Sequence, residues 1–331
     1  MKTAAAILLS LLIAAFAAAC GSDSDSDSGG DSGKPTVSAT TGILADITEQ
    51  VAAGDATVEQ VIPEGSSPHD FQLSAQDRQS IEDSELLVMD GANLEQGIPV
   101  DDIDVPKFVL SDEVKGLLPF EEAGEHAHED GEDHAEGEEE HPGEDEAAEE
   151  HGTVDPHVWM DPARVAGALP ALGDALAEAD PDHADAYRQR AAAYADELNA
   201  LDSEIETSLA RVSADNRELV TSHDALGYFA DRYGFEVIAT PFPASGAEAE
   251  ASAGRIDEVE RAIRSAGVPT VFAEAEDDPE VLELIADDTG VAITTDLFVE
   301  SPGSTGSYVE MLRHDARLIS DGLAGAGAES G

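Results

Sequence analysis

The chain has 331 residues, of which 73 are acidic and 16 are basic, so its formal net charge at neutral pH is −57. A surface of this sign repels nucleic acids and anionic lipid head groups, which excludes both as partners. The chain contains a single cysteine and therefore cannot form an intramolecular disulfide.

The N-terminus is typical of a secreted protein. Met1-Lys2-Thr3 precedes an apolar stretch that ends at Ala19, and this stretch is shorter than the roughly 20 apolar residues of a membrane span. Residues 1–19 are therefore predicted to be a signal peptide. The segment Phe16-Ala17-Ala18-Ala19-Cys20 resembles the lipobox of bacterial lipoproteins, which implies that Cys20 carries a lipid. Residues 20–34 are rich in Ser, Asp and Gly, which predicts a flexible tether.

Residues 35–180 alternate between strand and helix patterns, which predicts an α/β lobe. The patterns occur in the order 35–40 (strand), 41–51 (helix), 56–62 (strand), 74–83 (helix) and 86–89 (strand). A further helix is predicted to begin after Asp161, because an aspartate followed by proline is a frequent helix start.

An acidic segment interrupts this lobe at residues 121–152. It has no apolar periodicity, and residues 121–151 contain 16 acidic residues, five histidines and no lysine or arginine. We expect a loop that is disordered without metal and that binds additional ions weakly. Its candidate auxiliary ligands are His126, His128, His134, His141 and His151.

Residues 181–212 predict one long helix. No proline or glycine occurs between Asp182 and Val212, and apolar residues recur at three- and four-residue steps from Tyr187 onward. A helix of roughly 30 residues is about 45 Å long, which exceeds the size of a small lobe. We therefore expect this helix to join two lobes.

Residues 213–325 predict a second α/β lobe. Strand patterns that end near His223, Glu274 and Asp296 alternate with helix patterns. Ligands of open α/β sheets bind at the carboxyl ends of strands, so these three side chains are candidates for a site. The predicted fold class is α/β, with two lobes that each contain a mainly parallel sheet flanked by helices.

Three isolated histidines, His69, His157 and His223, lie in polar segments next to acidic residues. Neutral imidazole is the commonest side-chain ligand of zinc and similar ions. Zinc prefers four ligands, so a carboxylate from Asp296 or Glu274 would complete the set. The structural alternatives are a solvated loop position or a hydrogen-bonded core position for each histidine, and a turn position for Asp296.

The segments Pro68-His69-Asp-Phe-Gln, Asp-Pro-His157-Val-Trp-Met-Asp-Pro and Ser-His223-Asp-Ala-Leu-Gly-Tyr-Phe resemble the histidine segments of zinc- and manganese-binding lipoproteins of ABC transporters. The resemblance runs from about Pro35 to Leu323. It implies two lobes joined by one long rigid helix, with a metal in the cleft between them.

The resemblance also implies a ligand set. His69 and His157 would come from the first lobe, and His223 and Asp296 from the second. The segment around Asp296 departs from the family's usual aspartate motif, so Glu274 is the alternative carboxylate. Manganese-type members carry a glutamate at the position of His223, and imidazole suits zinc better than manganese. We therefore expect Zn²⁺ as the cargo, with Mn²⁺ as the second choice.

These observations predict a zinc-binding lipoprotein rather than an enzyme. It would be lipid-anchored to the outer face of the cytoplasmic membrane or periplasmic, and would deliver zinc to an ABC permease as a monomer. A manganese-binding member of the same family is one alternative. A secreted zinc hydrolase is another, although the chain has no His-Glu-x-x-His run. A third is an adhesin or metal-storage lipoprotein in which the acidic loop is the functional part.

Overall fold

The computed structural model describes residues 33–99, 102–120, 154–242, 251–276 and 278–324. Its first sheet has four parallel strands in the order β2-β1-β3-β4. The elements of this region are β1 (Thr36–Ala39), α1 (Gly42–Ala52), β2 (Thr57–Gln60), α2 (Ala75–Glu82), β3 (Leu86–Met89), β4 (Lys107–Val109) and α3 (Leu110–Glu113). The sequence patterns predicted the first five of these elements and missed β4 and α3.

The second sheet is built from two parallel pairs, β5 with β6 and β7 with β8. An isolated parallel bridge between Thr221 and Phe272 joins the pairs, which gives the order β6-β5-β7-β8. The elements are β5 (Glu218–Val220), α6 (Gly227–Tyr233), β6 (Glu236–Ala239), α7 (Ala253–Ala266), β7 (Thr270–Glu274), α8 (Glu280–Thr289), β8 (Ala292–Leu297) and α9 (Tyr308–Ala324). The predicted α/β class is therefore confirmed.

Along the chain, two long helices follow the first sheet and precede the second: α4 (Pro162–Ala179) and α5 (Ala184–Leu209). Asp161 caps α4 as predicted, because its Oδ1 accepts hydrogen bonds from the backbone N of Ala163 and Arg164. The helices pack closely: a Cβ at Gly173 of α4 would lie 2.8 Å from the Cβ of Ala191 on α5. A glycine at this contact allows the two backbones to approach.

The long helix α5 contacts elements from both ends of the chain. It has 26 residues, which is about 39 Å at 1.5 Å per residue, and it is slightly shorter than the sequence predicted. Arg190 donates to the carbonyl of Val51 (2.6 Å) and to Asp55 (2.9 Å) near the first sheet. Further along α5, Glu204 accepts two hydrogen bonds from Arg313 on α9, each 2.9 Å long. The buried apolar residues of α5 form the predicted stripe: Tyr187, Ala191, Tyr194, Leu198, Leu201, Ile205 and Leu209. Asp202 is buried beside them.

Two buried carboxyl groups lie at the carboxyl end of the first sheet. Asp90 follows β3 and accepts from the hydroxyl of Thr41 (3.2 Å), while Glu95 accepts from the hydroxyl of Thr40 (2.6 Å) and from the backbone N of Asp90 (2.8 Å). Burial, and then the neighbouring Glu95, raise the pKa of Asp90 well above its usual value. The ionised form of Asp90 is therefore unfavourable in the folded state.

We predict that Asp90→Asn raises the free energy of unfolding at pH 8 by about 1–3 kcal/mol, because the amide fills the site without a buried charge. The pKa of Asp90 is higher in the folded than in the unfolded state, so the wild-type protein loses stability as pH rises through the folded pKa. The advantage of the variant should therefore shrink at pH 5. Denaturant titrations at both values test this, with Asp112→Asn on the exposed face of α3 as the control. A variant less stable than wild type at pH 8 would contradict the assignment.

Candidate metal centre

His157 is fully buried in the segment that precedes α4. Oδ1 of Asp155 accepts a hydrogen bond from the backbone N of His157 (2.9 Å) and another from ring Nδ1 (2.8 Å). Carboxylates often hold the ring of a metal-binding histidine in this way, which leaves Nε2 as the metal-facing nitrogen. A Cβ at Gly227 would lie 2.3 Å from Oδ2 of Asp155, so glycine at the start of α6 permits this arrangement.

His223 is held by a second carboxylate in the same manner. It lies just after β5, and Glu274 is the last residue of the neighbouring strand β7. Glu274 accepts from the backbone N of His223 (3.1 Å), and its Oε2 lies 2.8 Å from ring Nδ1. Glu274 therefore orients His223 from the Nδ1 side. Its role as the alternative metal-binding carboxylate stays a prediction.

The three predicted histidines converge. His69, His157 and His223 each offer a ring nitrogen, and these atoms all lie within 4.8 Å of one another. Nε2 of His69 is 3.3 Å from Nε2 of His157. Two zinc ligands at about 2.0–2.1 Å from the ion are about 3.3–3.4 Å apart at a tetrahedral angle, so this pair already has the spacing of a zinc site.

Glu300 is the carboxylate beside this cluster. Its Oε1 lies 3.8 Å from Nε2 of His69 and 4.0 Å from Nε2 of His223. These distances are only about half an ångström longer than the edge of a tetrahedral zinc site. The sequence analysis missed Glu300, although it lies only three residues beyond the end of β8.

The structure does not bring Asp296 to the histidines. Asp296 lies on an exposed position of β8, and its backbone carbonyl is 2.9 Å from Nε2 of His314. The sequence predicted a strand that ends near Asp296, whereas β8 includes Asp296 and continues to Leu297, with a register shift against β7 that inserts an extra residue. A bulge of this kind redirects side chains, and the carboxylate that lies near the cluster is that of Glu300.

Buried hydrogen bonds hold the ligand-bearing segments together. The indole Nε1 of Trp159 donates to the carbonyl of Val299 (2.7 Å), next to Glu300. The hydroxyl of Tyr308 donates to the carbonyl of Trp159 (2.5 Å), and the hydroxyl of Tyr228 donates to the carbonyl of Asp155 (2.9 Å). Each bond joins residues that are at least 70 positions apart in the chain, so the cluster is assembled by the tertiary fold.

His69 is in the protonation state that a metal requires. Its side chain is 8% exposed. Burial, and then the charges that His157 and His223 would carry when protonated, lower the pKa of His69 to about 3. Because metals bind the neutral ring, His69 is available as a ligand at neutral pH.

Several predicted features lie outside the described residues. They are the signal peptide 1–19, the lipidation site Cys20, most of the tether 20–34, and the loop 121–152 with the auxiliary ligands His126, His128, His134, His141 and His151. Among the helices that the structure describes, none has the length and apolar content needed to cross a membrane.

Comparison with known proteins identifies the family. A family model named ZnuA and described as the periplasmic zinc-uptake complex component A matches residues 37–322. The chain therefore belongs to this family of substrate-binding proteins of metal ABC transporters. Membership confirms the resemblance seen in the sequence and the predicted location in the cell envelope.

Individual relatives cover most of the chain. The manganese-binding lipoprotein MntA of Halalkalibacterium halodurans is 26% identical over 291 residues, which is 85% of this chain and 86% of the relative. The iron-binding protein YfeA of Yersinia pestis is 28% identical over 301 residues, 87% of this chain and 86% of the relative. The solved structure of the periplasmic zinc-binding protein TroA from Treponema pallidum has a TM-score of 0.73 at 26% identity, and the match covers 88% of this chain and 100% of that chain.

We predict that Asp155→Ala lowers the affinity of the cluster for a divalent metal by about 10- to 100-fold, because the ring of His157 loses its orienting carboxylate. The matched control is Asp296→Ala, which removes an exposed carboxylate and should bind as the wild type does. Calorimetric titration of the metal-free proteins measures both. A larger loss for Asp296→Ala than for Asp155→Ala would contradict the geometry described above.

Proposed function

We propose that the protein captures Zn²⁺ outside the cytoplasm with His69, His157, His223 and Glu300, and delivers it to the permease of an ABC transporter. The observation that carries this proposal is the convergence of three imidazole nitrogens within 4.8 Å beside a carboxylate. The donors come from both sheet regions, so a bound ion would tie these regions together. Family membership supports the transport role.

The donor set favours zinc over manganese. Three imidazoles and one carboxylate fill a tetrahedral shell with the softer nitrogen ligands that zinc accepts, whereas manganese prefers more oxygen ligands. The relatives are named for manganese, iron and zinc, so the argument for zinc rests on the donors of this chain. Manganese is the second candidate, and the carboxylate of Glu300 is the observation that favours it.

The same donor set argues for binding rather than catalysis. A catalytic zinc keeps one coordination position open for water or substrate. Four protein donors leave no such position, and Asp155 and Glu274 are both occupied in holding histidine rings. We therefore propose that the protein is not an enzyme, as in the rest of its family.

The proposal also covers the lipid anchor, the tether, the lobe boundaries and the acidic loop. We propose that Cys20 carries the lipid anchor, that residues 20–34 tether the folded part, and that the protein acts as a monomer. The lobes would extend over 35–180 and 213–325, with 181–212 as the linking helix. The acidic loop 121–152 would raise the local concentration of metal near the cleft.

We predict that His157→Ala reduces zinc affinity more than deletion of residues 124–151 does. His157 supplies one of the four donors, whereas the loop would supply only weak additional sites. Calorimetry on both variants gives affinity and stoichiometry, and wild type should bind one ion tightly. If the deletion removed the tight site and His157→Ala did not, the metal-storage or adhesin alternative would replace this proposal.

We predict that His223→Glu shifts the preference of the site from zinc toward manganese, because it replaces an imidazole with an oxygen donor. The ratio of zinc to manganese affinity should fall at least about tenfold, which corresponds to about 1.4 kcal/mol. Competition between the two metals in one sample measures this ratio directly. An unchanged ratio would mean that His223 is not a ligand.

A further inference from the structure

Residues 63–68, called the 63–68 loop below, form a short connection between β2 and His69, in which residues 63–66 are exposed, Ser67 is half-buried and Pro68 is buried. The loop turns at Gly65, which has a φ of 78°, and the backbone N of Ser66 donates to the carbonyl of Pro63 (3.1 Å). At its start, the backbone N of Ile62 is bonded to the carbonyl of Thr40 (2.9 Å). Because the loop ends at His69, its position fixes one donor of the metal centre.

Ser67 connects this loop to the carboxylate of the site. Its Oγ donates a hydrogen bond of 3.1 Å to Oε1 of Glu300, a residue 233 positions away in the chain. Oε1 of Glu300 also lies 3.8 Å from Nε2 of His69. A carboxylate oxygen has two lone-pair positions, so Oε1 can accept the hydroxyl of Ser67 and still bind a cation.

The space beneath the loop is small. A cavity of about 10 Å³ lies between the loop, the start of α1 and Glu300, and Thr41 and Gln60 line it. This volume is at most that of one water molecule. A hydrated ion therefore does not fit in this cavity while the loop lies against Glu300.

We propose that Ser67 is a positioning residue that fastens the 63–68 loop to Glu300 and thereby slows release of the bound metal. This inference rests on the proposed function of the cluster. With a metal bound, the hydroxyl of Ser67 holds Oε1 of Glu300 toward the ion. Without the hydroxyl, the carboxylate of Glu300 loses one of its contacts and the loop can lift with His69, while His157 and His223 stay held by Asp155 and Glu274.

The test is the rate at which zinc leaves the protein for excess chelator, followed by stopped flow. Ser67→Ala should release zinc about tenfold faster, the usual effect of losing one hydrogen bond to a charged group. Ser67→Thr keeps the hydroxyl and should release zinc as the wild type does. Ser66→Ala removes the neighbouring exposed hydroxyl and is the matched control. Equal acceleration in the alanine and threonine variants at position 67 would overturn the proposal.

A second measurement separates positioning from a general loss of structure. In a Glu300→Ala background, Ser67→Ala should cause no further acceleration, because the partner of the hydroxyl is already gone. A structural defect would instead add to the effect of Glu300→Ala and would lower the melting temperature of the metal-free protein. Either of those results would overturn the proposal.

The outcomes also distinguish this inference from the proposed function. If the wild-type protein bound no zinc, both would fail. If the wild type bound one zinc that His157→Ala lost, and Ser67→Ala released zinc at the wild-type rate, only the role of Ser67 would fail.

Discussion

The main constraint on the metal centre is the free-energy cost of burying three imidazole rings close together. Their ligand nitrogens lie within 4.8 Å of one another, and the closest pair can share one hydrogen bond at most. Protonation does not relieve the crowding, because burial and the neighbouring rings oppose a charge on His69. A divalent cation does relieve it, since one ion accepts a lone pair from every ring. Asp155 and Glu274 keep two of the rings from turning away.

The fold supplies this arrangement through strand ends and a few long-range hydrogen bonds. In each sheet the first strand lies between the second and third strands along the chain. The second sheet brings His223 and Glu274 together at adjacent strand ends. The helix α5 is bonded to residues near the first sheet and to α9, and the bonds of Trp159 and Tyr308 join the segments that carry His157 and Glu300. His157, His223 and Glu300 therefore lie in loop segments that hydrogen bonds fasten to the surrounding fold, whereas His69 lies at the end of the 63–68 loop.

Much of the architecture could be predicted because the spacing of apolar residues and the residues that cap helices are visible in the sequence. The buried stripe of α5, the cap at Asp161 and the continuous apolar run of β3 are all local patterns. β4 and α3 were missed because elements of three and four residues are too short to show a period. The histidines could be found from the chemistry of their residue type. Glu300 was missed because it lies beyond the end of β8, and its place beside the cluster depends on long-range contacts such as the bond from Trp159 to Val299, which local patterns do not show.

Anomalous diffraction at the zinc edge from crystals of the zinc-loaded protein would locate the bound ion. We expect one strong peak about 2.0–2.2 Å from the Nε2 atoms of His69, His157 and His223 and from a carboxylate oxygen of Glu300. A peak bound by fewer than two of these histidines, or one that lies at Asp296 with the three rings left apart, would contradict this expectation.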